Sequence, residues 1–180
     1  QKPYENGVED YYSDFRKRFE EGELVNADSI DFPDSLKYFT KLKERVVYGG
    51  GGIMPDYFVP VDTTHQSPFF NQVSANGLIY NFAFQFADKH RSKLETFSKP
   101  EALTKYLGKK KVYSKFLDYA YDKGILKDIK GMAESEKVIK TRLHAYIARN
   151  IMDNEGFYPI IKNVDQTLQK AIDLLAQDAT

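Results

Sequence analysis

Hydrophobic positions recur every three or four residues along most of the chain, and this spacing predicts helices. Near the start it predicts an amphipathic helix over residues 8–22. From residue 66 onward it predicts a bundle of about five short helices, the longest over residues 132–153. The last helix is expected over residues 158–176, with Pro159 near its start.

Glycine, proline and serine mark the expected ends of these helices. Gly77 is predicted to separate two helices, and Gly124 to end a third. Ser98 is expected to cap a helix that begins near Pro100. Glu101, three residues further on, would be its partner in a capping box.

A different pattern occupies residues 36–61. Residues 36–48 and 57–61 are rich in β-branched and aromatic side chains, and Gly49–Gly52 stand between them. The pattern predicts two or three short strands around a glycine bend. The expected fold class is therefore mainly α (α+β), with a helical C-terminal bundle and a small β-hairpin or sheet. The expected domains are residues 1–65 and 66–180.

The amino-acid composition argues against several classes of function. Hydrophobic residues make up 42% of the chain and aromatics 14%, which is enough for a real core. The 26 basic and 26 acidic residues cancel, whereas a nucleic-acid binder usually has a basic excess. The chain has no cysteine, which excludes disulfides, thiolate nucleophiles and cysteine-zinc sites. No apolar run approaches the ~20 residues of a membrane span, and no cofactor is expected.

The chain has no recognisable catalytic constellation. There is no Gly-x-Ser-x-Gly elbow and no serine with lysine three residues on. Ser13 and Lys17 are four residues apart on the first predicted helix, but acidic neighbours would keep the lysine charged. His65, His90 and His144 are far apart and form no metal-binding pair. We therefore predict no catalytic residue and no metal ligand.

The tetraglycine requires a specific explanation. A phosphate-binding loop would need Gly-Lys-Ser/Thr after the bend, but Ile53-Met54-Pro55-Asp56 follows. Nucleotide binding is therefore disfavoured. Taken alone, the glycines are explained most simply by a tight turn between strands.

The longer stretch RVVYGGGGIMPDYFVPVDTT, residues 45–64, is more specific than its glycines. With its Gly-Gly-Ile-x-Pro-Asp signature at residues 51–56, it resembles a segment of the C-terminal processing (tail-specific) serine peptidases, in the form of Bacteroidetes-type members. In that family the segment returns a strand to the protease core. Residues 1–4 are similar to the end of the strand segment after the catalytic region. Residues 5–44 resemble an insertion, and residues 65–180 a helical tail.

The resemblance implies a secreted or envelope peptidase with a serine nucleophile, a lysine general base and a PDZ domain. It implies that the dyad and the PDZ domain lie upstream of Gln1, in a longer gene product. The structural core-return motif would be Gly49, Gly50, Gly51, Gly52, Pro55 and Asp56. The glycines would allow a sharp backbone path, Pro55 would fix φ, and Asp56 would accept backbone hydrogen bonds.

The expected function is thus a structural or self-association role in a serine peptidase whose chemistry lies elsewhere. Its partners would be the parent protease core, the parent's protein substrates and a second copy. A second copy, or residues 36–48, would pair an unpaired strand edge at residues 56–61. The expected location is the periplasm or cell envelope.

Two other functions remain open. The first is a stand-alone helical protein-interaction module, which the aromatic side chains between residues 113 and 121 would serve. Their helical spacing favours ordinary core positions instead. The second and weaker alternative is a small independent enzyme, for which the sequence offers no acid, base or metal constellation.

Overall fold

A computed structural model of the protein describes residues 5–30, 34–49 and 56–178. The chain divides into two compact units, Gln1–Asp62 and Thr63–Thr180. The expected fold class, mainly α with a small antiparallel hairpin, is confirmed.

The first unit contains one helix and one hairpin. Helix α1 spans Val8–Glu20, as the apolar spacing predicted. Strand β1 (Lys37–Phe39) pairs antiparallel with β2 (Val46–Tyr48), with Tyr38 opposite Val47. No described residue of this unit is buried.

The hairpin turn lies before the glycines. Thr40 closes it, because its N–H donates to the Arg45 carbonyl oxygen at 2.9 Å and its hydroxyl accepts from the Arg45 N–H at 3.0 Å. The two strands are therefore joined through residues 40–45. The prediction of strands arranged around a glycine bend is wrong.

The third expected strand, residues 57–61, is also absent, and with it the predicted strand edge at residues 56–61. Pro60 has no N–H to give to a ladder, which makes a short apolar run a poor strand. The Val61 N–H donates instead to the Leu24 carbonyl oxygen at 2.9 Å.

The second unit is a helical bundle. Its α-helices among the described residues are α2 (Pro68–Ala75), α3 (Leu78–Lys89), α4 (Arg91–Leu94), α5 (Pro100–Lys109), α6 (Val112–Asp122), α7 (Ile129–Ile161) and α8 (Gln166–Asp178). Gly77, at φ 64°, separates α2 from α3, and Gly124, at φ 86°, follows α6. Both glycine breaks predicted from the sequence are confirmed.

Helix α7 is the centre of this bundle. It contacts α2, α3, α5 and α6, so each of these helices buries its apolar face against the same partner. The largest fully buried apolar side chains are Phe69, Phe116, Leu94, Leu103, Leu107, Ile139, Leu143, Ile147, Val73 and Val112. In α8, by contrast, no residue from 166 to 177 is buried.

The helical backbone of α7 breaks at Asp153 (φ 51°, ψ −139°), where the sequence predicted its end. A further helical segment, with Pro159 inside it, follows the kink and runs to Ile161, and this differs from the prediction. The next helix begins at residue 166, not 158, because the Asp165 carboxylate accepts the Leu168 N–H at 2.9 Å and caps it there.

The predicted cap at Ser98 is wrong, although the helix begins at Pro100 as expected. The N-cap residue of α5 is Lys99, and its side chain makes no capping hydrogen bond. Proline at the first helical position has the φ that a helix requires, so this helix starts without a side-chain cap.

Candidate functional site

The core-return motif is only partly visible. Gly50, Gly51, Gly52 and Pro55 lie outside the described residues. Asp56 is exposed, and its carboxylate lies 3.5 Å from the Arg45 guanidinium, which is exposed too. An ion pair this open to water contributes little to stability.

Gly49 extends the hairpin by one hydrogen bond. Its N–H donates to the Leu36 carbonyl oxygen at 2.7 Å. A Cβ added at Gly49 would lie 2.7 Å from Cε2 of Tyr38, so the ring passes directly over the backbone. The close approach of this ring explains a glycine at position 49.

The serine and lysine considered from the sequence lie on an open helix face. Ser13 and Lys17 are both exposed on α1, and the Lys17 ammonium lies 3.8 Å from the Glu21 carboxylate. Nothing there removes the lysine from water, as a general base requires. The prediction of a solvated helix face is confirmed.

The three histidines lie in three separate places. His65 precedes α2, and its Nδ1 lies 3.4 Å from the Glu134 carbonyl oxygen. His90 caps the end of α3, where partial burial and three nearby lysines lower its pKa. Burial, with a smaller contribution from Lys140, lowers the pKa of His144. Both rings are therefore held towards the neutral form.

Sequence analysis missed a buried serine pair. Ser67 caps α2 by accepting the Phe70 N–H at 3.0 Å, and it donates to the Gly131 carbonyl oxygen at 2.9 Å. Ser135 donates to the same carbonyl at 2.6 Å, and its hydroxyl lies 3.3 Å from that of Ser67. Both serines are buried, and neither bonds a histidine or lysine among the described residues. The pair joins α2 to α7, which is a structural role.

Gly131 allows this close approach. Its N–H donates to the Asp128 carboxylate at 2.9 Å, which caps α7. A Cβ added at Gly131 would lie 3.1 Å from Cβ of Ser67. Ser67 and Gly131 are 64 positions apart in the sequence, which explains why no local sequence signal identified the junction.

The aromatic side chains proposed for partner binding belong to the bundle itself. Phe116 is fully buried, and Tyr119 and Tyr113 pack against the core. The Tyr113 hydroxyl donates to the Met132 carbonyl oxygen at 3.1 Å, and burial raises its pKa to about 12. The Tyr121 hydroxyl donates to the sulfur of Met132 at 3.0 Å. These rings therefore form no open binding face.

Described residues of the bundle line cavities, two of which have a polar group in their wall. The first, about 90 Å³, lies between the α2–α3 turn and the middle of α7. The second, about 340 Å³, lies between the start of α5 and residues 159–163. Each is lined by a residue whose hydroxyl is buried without a hydrogen-bond partner in the described structure: Ser74 in the first, Thr104 in the second. Buried hydroxyls are usually bonded, so both positions are candidates for ligand contact.

Two searches of the described residues found nothing further. No group of three or more histidine, aspartate or glutamate side chains there could hold a metal ion. None of the helices in the described part of the chain is both long enough and apolar enough to span a membrane.

The model of a family of unknown function (DUF8443) matches residues 69–153. The matched segment begins in α2 and ends at Asp153. It contains Gly131 and Ser135 of the serine junction, though not Ser67, and every residue that lines the smaller cavity. No curated protein matches the chain, and neither does any solved structure.

Proposed function

We propose that this chain is the C-terminal region of a serine-type C-terminal processing peptidase. In this proposal, the catalytic serine and lysine belong to protein upstream of Gln1, which cleaves proteins near their C termini. Residues 1–62 complete the peptidase core, and the helical unit supports that core or mediates self-association. The setting would be the periplasm or cell envelope. The sequence resemblance at residues 51–56 supports the family assignment.

One structural observation carries the proposal: no described residue of the first unit is buried. Helix α1 and the hairpin nevertheless carry many large apolar side chains. Those that are exposed are Val8, Tyr11, Tyr12, Phe15, Phe19, Tyr38, Phe39, Leu42, Val46 and Val47. A single helix and a two-stranded hairpin are not stable alone in water. The unit therefore fits a segment that packs against further protein.

The free energy that burial of these side chains would release supports this interpretation. Complete burial of one large apolar side chain stabilises by about 1.5–3 kcal/mol relative to exposure. Even partial burial of the α1 face alone, five such side chains, would bind it firmly to a partner surface. Helix α8 also exposes large apolar side chains, Ile172 and Leu175, although fewer than α1 does.

The experiment compares two proteins, the chain 1–180 and the longer gene product that includes upstream sequence. We expect the longer protein to cleave a denatured protein substrate and the chain 1–180 to leave it intact. Replacing the upstream serine by alanine should abolish cleavage. Serine-dependent hydrolysis by the chain 1–180, or upstream sequence without a serine and lysine in the family's spacing, would refute the proposal.

Hydrogen exchange tests the packing separately. We expect the amides of α1 to exchange fast in the chain 1–180 and to be protected in the longer protein. The amides of α7 should be protected in both proteins, which makes them the internal control. Equal, fast exchange of α1 in both proteins would mean that upstream protein does not cover it.

The exposed α1 face is also compatible with the second function, that of a stand-alone module that binds a different protein. The two functions differ in gene structure: a reading frame that begins near Gln1 would favour the module. A second copy as the occupant would show as dimerisation on sedimentation at high concentration.

A further inference from the structure

The smaller cavity in the helical unit has the composition of a binding site. It lies where the turn between α2 and α3 approaches the middle of α7, and its volume is about 90 Å³. Its lining residues are Val73, Ser74, Gly77, Ile79, Tyr80, Arg142 and Tyr146. A water molecule occupies about 30 Å³ in the liquid, so the space corresponds to about three waters or one small organic group.

Arg142 provides the charge in this cavity. Its guanidinium carbon lies 5.0 Å from the centre of the Phe70 ring, and the side chain is half-buried. The ion pairs among the described residues do not include Arg142, whereas Arg18, Arg45 and Arg91 each lie within 4.0 Å of a carboxylate. Stacking on a ring covers the face of a guanidinium and leaves its N–H edge available. That edge matches the two oxygens of a carboxylate.

Ser74 adds a hydrogen-bond donor. Its hydroxyl oxygen is buried, and within the described structure it has no hydrogen-bond partner. Buried hydroxyls are usually hydrogen-bonded, and this one borders a space wide enough for about three waters. A carboxylate oxygen in the cavity would take the place of a water as its acceptor. Ser74 and Arg142 line the cavity together, so a single ligand can contact both.

The remaining wall is apolar and aromatic. Tyr80 and Tyr146 meet edge to face, with ring centres 5.4 Å apart and planes at 89°. Val73 and Ile79 are buried and complete the wall. One cation, one hydroxyl and an apolar wall fit a singly charged anion with a short apolar part better than a doubly charged phosphate.

We propose that this cavity binds a carboxylate that carries a small apolar substituent. The Arg142 guanidinium donates to both carboxylate oxygens, Ser74 donates to one of them, and the substituent lies against Tyr80 and Tyr146. The carboxylate belongs either to a free small acid or to the C terminus of a peptide. This site is independent of the proposed peptidase function. Every residue that lines it lies within residues 69–153, the segment that matches the family of unknown function.

The test uses the whole chain and follows backbone amide signals by NMR. Propionate and butyrate are the small-acid probes, with propionamide and butyramide as neutral controls of the same shape. A short peptide ending in alanine, with a free or an amidated C terminus, is the peptide probe. We expect saturable shifts at Ser74 and Gly77 with a carboxylate probe and none with its amide. Tighter binding of the acids would identify a free small acid as the ligand, and tighter binding of the free peptide would identify a peptide C terminus.

The variants localise the site. Arg142→Met should weaken binding at least about tenfold, since a charge-assisted hydrogen bond is lost. Ser74→Ala should weaken it several-fold without disturbing the fold, because no protein group in the described structure bonds the hydroxyl. Arg149→Met is the matched control: Arg149 is on the same helix and stacks on Phe157 at 5.1 Å, but it does not line the cavity.

Three results would overturn the proposal. The first is an absence of saturable shifts with both acids and with the free peptide. The second is equal binding of acids and amides, and the third is an equal loss of binding in Arg149→Met and Arg142→Met. If Arg142→Met fails to fold, Ser74→Ala and the amide controls decide the question by themselves.

Discussion

Gly156 packs against the carbonyl group of Ala148, so closely that a Cβ added at Gly156 would lie 2.6 Å from the Ala148 oxygen. The kink at Asp153 lies between the two residues and turns the end of α7 back towards its own preceding turns. Only a residue without a side chain allows this contact between backbone and backbone.

We therefore expect Gly156→Ala to lower the free energy of unfolding by about 1–3 kcal/mol, the usual cost of forcing extra atoms into a packed site. Gly108→Ala is the control, because nothing lies within 4 Å of a Cβ added at this exposed position in α5. It should stabilise by up to about 1 kcal/mol through helix propensity. Urea unfolding measures both changes, and a cost at Gly108 equal to that at Gly156 would contradict the packing argument.

The serine junction yields a second prediction. Ser67→Ala removes both the cap of α2 and the hydrogen bond to Gly131, and should destabilise by about 1–2 kcal/mol. Ser98→Ala should change stability by less than about 0.5 kcal/mol, since exposed Ser98 caps no helix. The same unfolding measurement distinguishes them. If Ser98→Ala cost as much as Ser67→Ala, the assignment of the caps would be wrong.

A third prediction compares two phenylalanines on helices. Phe116 is fully buried in α6 and lies edge-on to Phe82, with ring centres 5.6 Å apart. Phe116→Ala should cost about 3–5 kcal/mol. Phe15 on α1 is 50% exposed, and Phe15→Ala should cost the chain less than about 0.5 kcal/mol. A large loss at Phe15 would show that the first unit has a core of its own.

The fourth prediction concerns pH. The folded state holds the pKa of His144 below 6.5, so the unfolded chain binds a proton that the folded chain does not. The free energy of unfolding should therefore fall as the pH decreases through 6.5, and level off below the folded-state pKa. His90 acts in the same direction.

His144→Gln should reduce this loss between about pH 7.5 and 5.5, and the double variant with His90→Gln should reduce it further. Carboxylates titrate mainly below this range, so they do not mask the effect. Chemical unfolding at several pH values gives the slope directly. An unchanged slope in the double variant would show that neither ring is held neutral by the fold.

The helices could be predicted from sequence because their signals are local. Apolar spacing located α1 and α3, and glycines at positive φ located the breaks at Gly77 and Gly124. The predictions of a third strand and of the start of α8 were wrong because another local effect determined the structure there. Residues 57–61 have the aromatic and β-branched side chains of a strand, but Pro60 has no N–H. Asp165 rather than Pro159 fixes the start of α8.

The candidate sites could not be predicted in the same way. Ser67 and Ser135 are 68 residues apart, and Ser74 and Arg142 meet only because the α2–α3 turn packs on α7. A serine or arginine whose partner is distant in the sequence belongs to no local pattern, so the sequence does not indicate which residue it will contact. For the core-return motif, the resemblance remains a prediction, because four of its six residues lie outside the described part of the chain.

The central position of α7 has a consequence for how the protein is made. Helices α2, α3, α5 and α6 all leave the ribosome before α7, the helix against which each of them packs. These helices also contact one another, as Phe82 and Phe116 do, but the part of their apolar faces that packs on α7 stays uncovered until synthesis has passed residue 148, the last buried residue before the kink. Folding of this unit during translation would have to be a late event, and a chaperone would find its substrate in the nascent chain from α2 to α6.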